Sequence, residues 1–408
     1  MRIRRFLPSI AAALAAFAFA WPAFAQHDHA EHGKGKAKGG MAAGKAAGKA
    51  GVELAASAVF DEKGVLWAAH KESGHIAVSR SDDLGRSWGK ALRITPAPET
   101  TDSGGDARPK IAAGPGGALY VTWTRPLAKP YTGEIRYSRS IDGGLTFSAP
   151  AVVHADRQVI THRFDALAVN SKGQVFVAWI DKRDQEALRG KGVYRGAAVY
   201  WAVSDDRGAT FRGDYKLADY SCECCRIGLL PAEDGTVQAI WRHVFEPNVR
   251  DHAMGVLTPE GKTGEVVRAT FDDWRVDVCP HHGPSLARDA AGQVHAVWFT
   301  GAADKGGVYY GRMRKGGVDG QRRIGGPAAE HADLAAAGNR IAVAWKEFDG
   351  ERSRLRAMRS DDAGVTWRES ELASSGGPSG HPFVLVRNGA FHVFWNRRDV
   401  QLSVVPLP

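Results

Sequence analysis

Gly117-Ala118-Leu119-Tyr120-Val121-Thr122-Trp123 is one copy of a pattern that recurs along the chain: a turn residue, a short apolar run, and an aromatic six positions on. It returns as Gly173–Trp179, Gly235–Trp241, Gly292–Trp298, Asn339–Trp345 and Gly389–Trp395, and in altered form as Gly64–His70. Self-similarity at a period of roughly 45 to 60 residues marks stacked or radial units. Apolar runs of this length, bounded by Gly, Pro and Asp clusters, read as strands, and no stretch carries a helical pattern. The expected fold is therefore all-β: a propeller of seven four-stranded blades, or six if the first or last repeat is incomplete. The second repeat divides into Pro109–Ala113, Ala118–Thr124, Glu134–Ser140 and Pro150–His154. The third divides into Asp165–Val169, Val175–Ile180, Ala197–Val203 and Asp214–Ala218. The last offers only Phe383–Arg387, Ala390–Trp395 and Gln401–Val405, leaving its fourth strand to come from the N-terminal side or to be missing.

A second signature lies in the turn between the third and fourth strands. Ser81-Asp82-Asp83-Leu84-Gly85-Arg86-Ser87-Trp88 recurs over residues Ser140–Phe147, Ser204–Phe211 and Ser360–Trp367. The carboxylates of Asp83, Asp142, Asp206 and Asp362 can accept backbone amides across the bend, the glycine tolerates positive φ, and the closing aromatic buries a face between blades. This pattern resembles the Asp-box repeat of the sialidase superfamily, over essentially all of the chain from Val52 onward. In that family these aspartates are structural, which implies the same here.

The first 25 residues read as a cleavable export signal: Arg2, Arg4 and Arg5, an apolar stretch from Phe6 to Phe19, then Ala23-Phe24-Ala25. Export to the periplasm or medium is expected, with cleavage after Ala25 and no later membrane span. Residues 26–50 are rich in Gly, Ala and Lys and have little to bury, so they read as a disordered tether before a propeller domain of residues 51–408. The tether's His27, His29 and His32 are either solvated or a loose divalent-metal site. The formal charge of +9 falls to +3 once the three leader arginines and the tail's surplus of three lysines are set aside, so nucleic-acid binding is not indicated. A monomer is expected.

In such blades the segments leading into the innermost strands converge on the central mouth, with the box turns on the opposite face. Those segments carry Asp106 and Arg108; His162, Arg163 and Asp165; Cys222, Cys224, Cys225 and Arg226; Cys279, His281 and His282; Glu330, His331 and Asp333; and His381. Two readings of the cysteines stand. An exported protein commonly pairs its thiols, here with at least one bridge to Cys279. Alternatively, thiolates and imidazoles from successive blades build a copper or zinc site of Cys222, Cys224, Cys225, Cys279, His281, His282, His331 and His381. Loop residues Arg125, Lys182, Arg183, Arg242, Arg250, Lys346, Arg352, Arg397 and Arg398 add a basic rim, suited to an anionic ligand or simply solvated.

The resemblance implies three arginines for a substrate carboxylate, a Tyr–Glu nucleophile pair and an aspartic acid. Arg108, Arg163, Arg226 and Arg250 can be set against the arginines, Asp165 against the acid, and Tyr309 or Tyr310 against the nucleophile. Two departures oppose this. Leu54–Phe60 lacks the arginine of an Arg-Ile-Pro segment, and no tyrosine follows Tyr310. Cys222-Glu223-Cys224-Cys225 and Cys279-Pro280-His281-His282-Gly283-Pro284, with Asn248-Val249-Arg250-Asp251 between, resemble an exported bacterial subgroup of sialidase-like propellers. The expected function is thus small-ligand or metal binding at a mouth lined by Arg108, His162, Arg163, Arg226 and Arg250 and by the Cys/His set. The alternatives are hydrolysis or lectin-type recognition of an acidic sugar, or a protein-docking scaffold.

Overall fold

The computed structural model describes residues 54–277 and 281–408; the expected export signal, the tether and Cys279 lie outside them. The described chain forms seven antiparallel sheets, each ordered as its strands follow in sequence. Blade 1 holds Ala56–Phe60, Leu66–Glu72, His75–Ser81 and Leu92–Arg93, and blade 2 Lys110–Gly114, Ala118–Pro126, Gly133–Ser140 and Ala151–Val152. Blade 3 holds His162–Val169, Val175–Asp181, Ala197–Ser204 and Arg212–Ser221, and blade 4 Gly228–Pro231, Val237–Arg242, His252–Leu257 and Val267–Arg268. Blade 5 holds Ser285–Arg288, Val294–Thr300, Gly307–Arg314 and Gly317–Ile324, and blade 6 Ala329–Ala337, Arg340–Phe348, Ser353–Ser360 and Arg368–Ser375. Blade 7 has three strands, Phe383–Arg387, Ala390–Phe394 and Val404–Leu407, with no fourth among the described residues. Among the described residues helix is confined to Arg183–Ala187 and two short 3-10 turns, and no described helix is long and apolar enough to cross a membrane.

The second strand of each blade is covered on both faces by its neighbours. Val175–Asp181 is buried at every position, which is why it reads as a continuous apolar run rather than an alternating one. The recurring tryptophans sit here: Trp123, Trp179, Trp241, Trp298, Trp345 and Trp395 are all essentially inaccessible. Most of their indole N–H groups donate to a carboxylate or carbonyl, as Trp179 does to Asp181 (2.8 Å) and Trp298 to Asp272 (2.9 Å). Removing such a side chain costs about 3–5 kcal/mol.

The box turns lock as their chemistry suggests. Asp142 accepts the Ser140 hydroxyl (2.7 Å), the Thr146 amide (3.0 Å) and the Thr146 hydroxyl (2.5 Å). Asp83, Asp206 and Asp362 repeat the arrangement. Each box also presses on the preceding blade. A Cβ at Gly208 would meet the Tyr137 hydroxyl at 1.7 Å, and one at Gly364 the Tyr310 hydroxyl at 2.0 Å, so these glycines are required by close approach as well as by φ of 77° and 85°.

The ring closes between blades 7 and 1, where Phe394 and Leu402 pack with Ala56, Ala58, Leu66 and Ala68. The Trp88 indole N–H donates to the Leu402 carbonyl (3.1 Å) across this seam.

Candidate functional site

The lead-in segments do converge, and Arg226 demonstrates it. This buried side chain donates to Pro284 O of the lead-in to blade 5 (3.3 Å) and Ala332 O of blade 6 (2.7 Å), while its Nη1 lies 3.8 Å from Asp106 Oδ1 of blade 2. Asp106 in turn lies 3.5 Å from His381 Nδ1 of blade 7. One residue from blade 4 therefore spans blades 2, 5 and 6 across the axis.

Two backbone irregularities aim the side chains. The pairing slips between Glu330 and Asp333 in blade 6, and between Arg163 and Ala166 in blade 3. His331 and Phe164, inside those slips, have φ of 53° and 54°. A bulge with a strained residue re-aims a side chain that a regular ladder would send elsewhere.

The result is a column of imidazoles from three successive blades. His282 and His331 stack at 4.5 Å between centroids, and His331 and His381 at 3.6 Å. Asp106 closes one end, and Glu330 flanks His331 at 3.5 Å while pairing with Lys346 at 3.2 Å. Potential donor atoms of Asp106, His331 and His381 lie within 4.8 Å of one another, and so do those of His282, Glu330 and His331. Burial drives His282 down to about 3 and His381 to about 4, and His331 well below its ordinary value, the latter also through its imidazole neighbours. All three are neutral near pH 7. His282 Nδ1 and His331 Nδ1 are buried without a hydrogen-bond partner, while His381 Nδ1 and Asp106 Oδ1 face each other at 3.5 Å. Burial would raise Asp106, but His381, Arg226 and Arg108 hold its carboxyl below the usual range. Imidazole nitrogens and a carboxylate oxygen this close together could hold a transition-metal ion.

The cysteines form a second group. Cys222 Sγ lies 3.9 Å from Cys224 Sγ and 3.8 Å from Cys225 Sγ, so no two of these sulfurs are at bonding distance. Arg250 Nη1 donates to Cys222 Sγ at 3.6 Å. Hydrogen bonding to the Cys222 sulfur, then burial, pushes the Cys225 thiol up. Any bridge to Cys279 falls outside the described residues. His281 lies near Phe164, with ring centroids 6.3 Å apart.

Other predicted site residues are placed differently. His162 leaves the mouth: it is fully buried between blades 2 and 3, stacked on His154 at 4.0 Å, with Asp156 and Asp181 at 3.5 and 3.7 Å from Nε2. Asp165 is inaccessible and engaged by Thr122 (2.6 Å), Thr124 (3.2 Å) and Lys110 (3.4 Å), which does not suit a solvent-facing acid. Tyr309 stacks on Trp298, and Tyr310 is bonded to His295 (2.6 Å) beneath the blade 6 box. Neither tyrosine joins the axial cluster, because alternation along their strand sends them to opposite inter-blade faces.

The arginines are committed to the fold. Arg108 donates to Gly105 O and lies 3.9 Å over the Phe383 ring; burial, with Arg226 nearby, lowers it to about 9, still cationic. Arg163 pairs with Asp102. Arg242, expected on the rim, is instead buried and donates to Arg250 O (2.8 Å), His282 O (3.1 Å) and Phe299 O (2.7 Å), tying blades 4 and 5 together. Arg125, Lys182, Arg183 and Lys346 each have a carboxylate within 3.2 Å, so these four cations of the expected basic rim are neutralised. A cleft of about 430 Å³ between blades 2 and 3, lined by Arg139, Arg157 and Asp214 among others, does not include the clustered residues.

No protein-family model matches the chain, and no curated protein matches it in sequence. Solved structures do match in shape. A PL25 ulvan lyase bound to -[GlcA(1-4)Rha3S]- superposes with a TM-score of 0.52 at 10% identity, covering 82% of this chain and 88% of the lyase. A second structure of the ulvan lyase gives 0.51 at 10% identity, covering 84% and 92%. The Trypanosoma rangeli sialidase in complex with the inhibitor DANA gives 0.48 at 12% identity, covering 87% of this chain and 54% of the sialidase. The fold of this chain is a seven-bladed β-propeller, similar in shape to the ulvan lyase structures.

Proposed function

We propose that the protein is a metal-binding propeller whose axial mouth holds a transition metal, copper or zinc, through Asp106, His331 and His381, with His282 and Glu330 at its flank. One observation carries this reading: the half-buried, neutral imidazoles of His331 and His381 have donor atoms within 4.8 Å of each other and of the buried Asp106 carboxylate although the three residues come from different blades, and His331 Nδ1 has no hydrogen-bond partner. Burying polar groups without partners is costly, and a bound cation would satisfy all of them together. Imidazole donors suit copper and zinc. The site is a binding site; the surrounding arginines are held by carbonyls and carboxylates and provide orientation, not an anion clamp.

Metal analysis of the purified protein, beside His331→Ala and His381→Ala variants, tests this. About one equivalent of metal in the wild type and loss in both variants is expected. Equal, near-zero content in all three would end the proposal.

Recognition of an acidic sugar is the second reading, supported by a fold like that of a lyase bound to a glucuronate-containing saccharide. The pairing of Arg125, Lys182, Arg183 and Lys346 with carboxylates weighs against it.

A further inference from the structure

The cysteine cluster is chemically distinct from the imidazole column. Cys222, Cys224 and Cys225 come from one turn leading into blade 4, and all three are buried. Their surroundings are apolar: Ala107, Phe164, Ile227, Val237 and Trp241 belong to the same packed cluster. The three sulfurs lie within 4.8 Å of one another, with two separations of 3.8 and 3.9 Å. A cation bonded to three sulfurs at about 2.3 Å in one plane holds them about 4 Å apart. The observed separations match that spacing before any metal is added.

We propose that these three cysteines form a second, separate centre that takes a monovalent soft cation, Cu(I). The guanidinium of Arg250, 3.6 Å from Cys222 Sγ, offsets part of the negative charge that thiolates would carry here. Softness selects the ion, since thiolates favour Cu(I). Binding displaces the thiol protons to solvent and transfers no electrons. The chain then carries a nitrogen/oxygen centre and a sulfur centre side by side, suited to different metals or to two oxidation states of one metal. This inference does not depend on the imidazole column holding a metal.

The experiment is an anaerobic titration of the full, reduced protein with Cu(I) against a chromogenic chelator, following the ultraviolet thiolate-to-copper band. The wild type and a His331→Ala/His381→Ala variant should each take one equivalent with the same band. Cys225→Ser should lose the band and weaken binding by more than the 10–100-fold expected for an outer-shell change. Arg250→Gln keeps every thiol, so it guards against misfolding of the cysteine variant; it should weaken Cu(I) about 10–100-fold. Cu(I) uptake that vanishes in the histidine variant and survives in Cys225→Ser would overturn the proposal. So would tight binding of Zn(II) with no thiolate–copper band, or a protein whose cysteines, isolated without reductant, all resist alkylation because they are bridged.

Discussion

At the residue scale, the site depends on groups that the repeat pattern does not contain. Gly105 is the plainest case. Its φ is unremarkable, but a Cβ there would meet the His381 ring at 2.2 Å. His381 is held at its outer edge by that glycine, on its face by His331 at 3.6 Å, and at Nδ1 by Asp106 at 3.5 Å. Gly105→Val should therefore swing the imidazole out while leaving the blades intact. Calorimetric titration with Zn(II) should read an affinity about 10–100-fold weaker, the size of loss seen when a ligand's support is removed, with little change in unfolding midpoint. Unchanged zinc affinity would mean that His381 is not a ligand. Arg226 is the other decisive residue. It looked like an anion-binding group in sequence, yet its guanidinium holds carbonyls of the blade 5 lead-in and blade 6 together. Nothing near it in sequence names those partners, because they lie 58 and 106 residues away.

At the scale of the element, the four box turns are electrostatic devices as well as bends. The Thr146 and Thr366 hydroxyls, followed by other hydroxyl and amide donors, hold Asp142 and Asp362 at about 2, and the Ser87 hydroxyl and amide hold Asp83 there. Each folded pKa lies below the unfolded carboxylate value of about 3.9. The stabilisation is therefore complete above that value and is lost as pH falls from about 4 toward 2. An Asp83→Asn/Asp142→Asn/Asp362→Asn variant should be less stable than wild type at pH 7, and its stability should fall less steeply between pH 4 and 2. Denaturant midpoints across that window give the answer; parallel curves would show that the boxes act through geometry alone. The box sequence was legible because the whole motif is local. The bulges at residues 330–333 and 163–166 were not legible, since a slip of register is set by the partner strand and by what packs on it.

For the molecule as a whole, closure is the property to test. The third strand of blade 7, Val404–Leu407, ends a sheet whose neighbour is blade 1, and Trp88 reaches Leu402 over 314 residues of chain. Deleting residues 402–408 should expose the seam formed by Ala56, Ala58, Leu66 and Phe394. Hydrogen exchange should then speed up in Ala56–Ser81, in a blade that lost no residue of its own, by an order of magnitude or more for each ~1.4 kcal/mol of local stability removed. Protection confined to its wild-type level in blade 1 would contradict a closed ring.

The sequence alone determined the architecture, because a blade is a local object: its turn glycine, buried tryptophan and box aspartate all fall within one repeat and announce themselves by recurrence. It also named most of the polar residues that lead into the mouth. Only the tertiary structure decided which of them meet. His331, His381, His282 and Asp106 come together, whereas His162 turns into the seam between blades, Tyr309 and Tyr310 engage Trp298 and His295 of their own blade, and the arginines bind carbonyls. The reason is physical: side-chain direction at an innermost strand depends on bulges and on contacts across the axis, and those join residues that no local pattern connects.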